Sequence, residues 1–169
     1  LHFAVRGAER VTRLVLESSS RGPATPEEGS ARRAADAALA DRILEEGVEA
    51  FVDEWETLPL FASQALLPDE LRGALRARRL ANDPGSLAAS LRGLGTGSLP
   101  SLWERLPDVA IPTLILAGEL DARFVAIGEQ MAGSMPDARL LVVRSAGHAV
   151  HLEQPEAWCT AVTSFLHEG

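Results

Sequence analysis

The sequence predicts an α/β fold: a parallel sheet of about three strands with flanking helices, broken by an all-helical insertion. Three observations carry that expectation. Residues 111–117 (IPTLILA) and 139–143 (RLLVV) are near-continuous apolar runs of strand length, the pattern of strands buried on both faces. Between them Phe124, Ile127 and Met131 recur at i, i+3 and i+7, one stripe of an amphipathic helix, so the segment reads as a right-handed parallel crossover. Residues 25–98 hold four helical patterns and no convincing strand, which places the interruption of the sheet there.

In chain order, residues 1–8 read as the tail of a helix ending at Gly7. A first strand follows at 11–16 (VTRLVL), and 17–22 (ESSSRG) form the loop at its carboxyl end. Thr25-Pro26-Glu27-Glu28 is a helix start, with a threonine cap, proline at the first helical position and a glutamate to complete the capping box. The Ala-rich helix runs to about Glu46, and Gly47 ends it. Val48, Phe51, Val52 and Trp55 mark one face of a short second helix. A third starts near Pro68 with Leu71 and Leu75 on its stripe and ends by Asn82. Asp83-Pro84 open the fourth, which carries Leu87, Leu91 and Leu94 and stops among Gly93, Gly95 and Gly97. Residues 98–107 lead back to the sheet with a helical turn around Trp103. After the last strand, Pro155 opens a final helix striped by Trp158, Val162, Phe165 and Leu166. The expected division is core at 1–24, helical lid at 25–98 and core again at 99–169.

Composition narrows the partners. The net charge is −8 and all 16 basic residues are arginine, so there is no dense basic surface for a nucleic acid and no lysine for a Schiff base or P-loop. Planar, two-pronged gripping of carboxylates remains open. No apolar run approaches the roughly 20 residues that a helix needs to cross a bilayer. The N-terminus lacks the pattern of a secretory signal, and the single cysteine, Cys159, cannot close an internal disulfide; both suit the cytoplasm. Cys159 is expected to be a small buried hydrophobe on the last helix.

In sheets of this kind the chemistry gathers in the loops beyond the carboxyl ends of the strands. Two of those loops are Gly118-Glu119-Leu120-Asp121 and Gly147-His148. An aspartate and a histidine on neighbouring tips are placed to touch, the carboxylate orienting the imidazole. Asp121 also suits a plainer task, capping the helix that begins at Arg123, and His148 also suits a simple turn. Ser18, Ser19 and Ser20 sit in a turn-like loop with no G-x-S-x-G elbow around them. Asp121, His148 and His151 match no standard ligand spacing, and neither metal nor cofactor is expected.

A strand ending in GELD, a strand ending in AGH, and H-x-x-x-x-E-x-P (His148, Glu153, Pro155) together resemble the C-terminal half of the α/β-hydrolase fold. Residues 47–64 (GVEAFVDEWETLPLFASQ), 78–106 and 117–124 (AGELDARF) look like one branch of it, the 2-succinyl-6-hydroxy-2,4-cyclohexadiene-1-carboxylate synthases of menaquinone biosynthesis. The resemblance spans nearly the whole chain. It implies a lyase in which a base takes a proton from a cyclohexene substrate, the ring rearranges and pyruvate leaves. Asp121 would be the acid and His148 the base of a Ser–His–Asp triad. The polycarboxylate substrate would meet Trp55, Arg79, Arg123 and Arg32, with Arg33 as the alternative to Arg32. In that family the elbow, G-Y-S-x-G-G-R, would fall just upstream of Leu1. The nucleophilic serine and the N-terminal half of the fold are therefore expected outside this chain, which alone would be an inactive fragment. The competing expectation is a carboxylesterase or C–C hydrolase of the same fold, for which a neutral ester would not require converging arginines.

Overall fold

In a computed structural model, which describes residues 1–168, three strands pair side by side: β1 (Leu14–Glu17), β2 (Thr113–Gly118) and β3 (Ala138–Val143). Both pairings are parallel, in the order β1-β2-β3. The register sets Leu16 opposite Ile115 and Ile115 opposite Leu140. Successive strand residues face opposite sides of a sheet. Leu114 and Leu116 accordingly pack with Val143, Val150 and Phe165 on one face, while Ile115 joins Leu16, Leu106 and Met131 on the other. Every residue of β2 is buried, as its apolar run requires.

The strand starts differ from the sequence reading. Val11 closes a short 3-10 turn, its N–H bonded to the Ala8 carbonyl, so β1 begins at Leu14 instead. Pro112 has no N–H for the ladder and offers only its carbonyl, to the Leu14 N–H, so β2 begins one residue later. β3 is not buried on both faces: Leu141 is 40% and Val142 38% exposed. It is one of the two edge strands of the described sheet and lacks the double cover given to β2.

The helices of this unit are α1 (His2–Arg6), α5 (Ala122–Ser134), α6 (Val150–Glu153) and α7 (Pro155–His167). α7 turns Phe165 inward, which leaves Cys159 exposed and overturns the expectation of a buried thiol. The unit comprises Leu1–Arg21 and the residues from Leu102 onward. The Leu102 N–H bonds the Arg21 carbonyl where the chain leaves and returns.

The second unit, Gly22–Ser101, is helical. α2 (Pro26–Glu56) starts as the capping box predicts: Thr25 Oγ1 accepts from the Glu28 N–H, and the Glu28 carboxylate accepts from the Ala24 N–H. Gly47, at φ 89° and ψ 171°, breaks this span where the sequence reading ends its first helix. A 3-10 segment, Pro59–Leu66, follows; the sequence reading has no helix there, because the apolar residues show no 3.6-residue period. α3 (Asp69–Leu80) and α4 (Pro84–Leu94) complete the unit, the latter capped by Asp83 on the Ser86 N–H. Ala40, Ile43, Val52 and Ala88 are its buried apolar residues. No described helix is long and apolar enough to cross a membrane.

Candidate active site

Asp121 and His148 stand beyond the carboxyl ends of β2 and β3, and they touch. Asp121 Oδ2 lies 2.7 Å from His148 Nδ1. Asp121 is buried and the His148 side chain is 22% exposed, so the pair is dry on the acid side and open on the imidazole side. A carboxylate accepts, which puts the imidazole proton on Nδ1 and leaves the lone pair on Nε2. The second oxygen, Oδ1, accepts from the Phe124 N–H at 3.2 Å and caps α5. Asp121 thus makes both expected contacts at once, one per oxygen. The Phe124 ring meets the imidazole edge-on, centroids 4.7 Å apart.

The two loops are pressed together. A Cβ on Gly118 would stand 2.1 Å from the Gly147 carbonyl oxygen, closer than any side chain permits. The Glu119 N–H bonds the Val143 carbonyl, the Leu120 N–H the Ala146 carbonyl, and the Glu119 carboxylate the Ser145 N–H. Glu153 then accepts from the amides on either side of His148, Gly147 at 2.6 Å and Ala149 at 3.2 Å.

Residues at the end of β1, read from sequence as a plain turn, also hold this loop. Ser18 Oγ donates to the His148 carbonyl at 2.7 Å, from a left-handed backbone position at φ 42°. The Glu17 carboxylate accepts from His151 Nδ1 and from Trp158 Nε1, each at 2.8 Å. Glu153 falls within the H-x-x-x-x-E-x-P pattern, which gives it no role by itself, and Glu17 is marked in the sequence only as an acid at a strand's carboxyl tip.

A family model described as the alpha/beta hydrolase family matches residues 2–161. The chain belongs to that family. A putative 2-succinyl-6-hydroxy-2,4-cyclohexadiene-1-carboxylate synthase of Bacillus subtilis (strain 168) is 45% identical over 164 residues, covering 97% of this chain and 60% of its own length. The synthase of that name from Salmonella newport (strain SL254) is 33% identical, covering 96% and 62%. Among solved structures, MenH from S. aureus superposes with a TM-score of 0.95 at 39% identity over 98% of this chain and 62% of its own. A thermophilic esterase from Thermogutta terrifontis gives a TM-score of 0.78 at 28% identity over 97% and 58%. The chain thus spans about three fifths of the length of these relatives.

Of the expected substrate-binding residues, Arg123 is exposed in the first turn of α5, its guanidinium 5.9 Å from the Phe124 ring. The others belong to the helical unit. Trp55 is half-buried between Phe51 and Phe61, ring centroids 5.3 and 5.2 Å away. Arg79 donates to Glu56 at 2.8 Å and to the Gln64 side-chain oxygen at 2.9 Å. Arg32 pairs through Nε with the buried Asp36 at 2.8 Å, whereas Arg33 donates to the Gly97 carbonyl at 2.7 Å.

Proposed function

We propose that the chain supplies the acid and the base of a Ser–His–Asp triad in a lyase of menaquinone biosynthesis, which eliminates pyruvate to form 2-succinyl-6-hydroxy-2,4-cyclohexadiene-1-carboxylate. The observation that carries this reading is the 2.7 Å contact between Asp121 and His148, in a chain 45% identical to a protein named for that product. His148 Nε2 activates a serine outside these 169 residues, since none of the chain's own serines lies in a G-x-S-x-G elbow. The activated oxygen removes a proton from the ring of the substrate, and Asp121 stabilises the imidazolium that forms. The electron pair moves into the ring, the bond to the leaving group breaks, and pyruvate departs. Arg32, Arg79 and Arg123 bind the carboxylates of the substrate, and Trp55 packs against its ring. The setting is the cytoplasm, and the partner is a small polycarboxylate.

The experiment is pyruvate release by the full-length gene product. Arg79→Ala should lower kcat/KM for this reaction about tenfold or more while leaving cleavage of a neutral ester nearly unchanged. Unaffected pyruvate release would end the arginine-clamp reading. The likeness to the Thermogutta esterase supports a second reading, a carboxylesterase. That enzyme would cleave neutral esters rapidly and release no pyruvate.

A further inference from the structure

The helical unit holds a cavity of about 410 Å³ between the 3-10 segment and α3. Phe61 and Leu75 line its apolar side, and Glu56, Gln64, Arg76 and Arg79 its polar side. Two arginines share one carboxylate there: Arg79 reaches Oε1 of Glu56 and Arg76 reaches Oε2, both at 2.8 Å. Arg76 has a second acid, Asp53, at 2.6 Å. The second nitrogen of Arg79 meets only an amide, the side-chain oxygen of Gln64, which is 9% exposed. A guanidinium has five N–H donors, and these two bonds hold its plane without using the other three. Burial by itself would raise the pKa of Glu56, but the hydrogen bonds from Arg79 and Arg76 outweigh it and hold the group below its ordinary value. Glu56 is therefore a full negative charge at neutral pH, divided between two cations.

We propose that Gln64 determines specificity: as a neutral acceptor buried against Arg79, it fixes the fork and leaves that guanidinium with no carboxylate except the one it shares with Arg76. The occupant is the carboxylate end of a substrate whose apolar ring lies on Phe61 and Leu75. This rests on the reading of Arg79 as a substrate-binding residue. Chemistry offers a more stabilising partner for a buried guanidinium than an amide, namely a carboxylate. At position 64 a carboxylate would keep the hydrogen bond, add an ion pair and cancel the charge that an anionic substrate needs.

The test is calorimetric titration of the full-length gene product with 2-succinyl-6-hydroxy-2,4-cyclohexadiene-1-carboxylate. Gln64→Glu should raise Kd about tenfold or more, with an unfolding midpoint unchanged or higher. Gln64→Met keeps the length of the side chain and removes the acceptor that fixes the fork, so it should also weaken binding. A purely structural Gln64 predicts normal affinity in Gln64→Glu. That result beside weakened binding in Arg79→Ala would overturn the role of Gln64 and leave Arg79 standing. Unchanged binding in Arg79→Ala would overturn both. If Gln64→Glu does not fold, Gln64→Met decides: weaker binding by the folded variant supports the proposal, and equal or tighter binding overturns it.

Discussion

Asp121 divides its two oxygens between the cap of α5 and the His148 imidazole, and a single substitution can separate the two contacts. Asparagine at this position still has an oxygen for the Phe124 N–H, but its amide nitrogen then faces His148 Nδ1. That donor favours the tautomer with the proton on Nε2, where the proposed mechanism needs a lone pair. Asp121→Asn is therefore expected to lower kcat about 10²- to 10⁴-fold with little change in unfolding midpoint. Steady-state kinetics beside thermal unfolding check this; retained activity would remove Asp121 from the mechanism. Both members of the pair were legible in the sequence, because a strand pattern followed by a polar loop places a side chain on a known edge of the sheet. The roles of Glu17 and Ser18 were not. Their partners lie more than a hundred positions away, beyond the reach of any local pattern.

Two glycines and one acid decide how the elements hold. Gly118→Ala would drive a methyl group into the Gly147 carbonyl and push the Asp121 loop off the His148 loop. A loss of about 1–3 kcal/mol is expected, with activity falling further than stability, as denaturant titration and kinetics on the same sample would reveal. Gly47→Ala has open space around it, yet should also cost about 1–3 kcal/mol, because φ 89° with ψ 171° is a conformation that only glycine adopts without strain. The helix break at Gly47 was readable from residue type alone; the squeeze at Gly118 was not, since it depends on a loop from a different strand. Glu56 adds a pH dependence. Its pKa is lower folded than unfolded, so its contribution is present at neutral pH and disappears as pH falls through the folded value, below the ordinary range of about 4. Glu56→Gln should flatten the acid limb of a stability–pH curve. An unchanged acid limb would show that the ion pairs to Arg76 and Arg79 contribute nothing.

At the scale of the whole molecule, β1 pairs on one side with β2, and no strand stands beyond its other edge among the described residues. Unpaired N–H and C=O groups on such an edge are a template for association. The 169-residue chain by itself is expected to self-associate as its concentration rises. Light scattering over a concentration series measures this, and a monodisperse monomer throughout would count against it. The sequence by itself determined the parallel α/β class, the helical insertion, most helix caps and the Asp–His pair. These follow from periodicity, proline and glycine chemistry, and side chains at strand tips, all of which act over a few residues. Only the tertiary structure decided the exposure of β3 and Cys159, the clamp of Glu17, Ser18 and Glu153 around His148, and the neutral partner of Arg79. Those depend on which distant surfaces meet, and short-range preference carries no record of that.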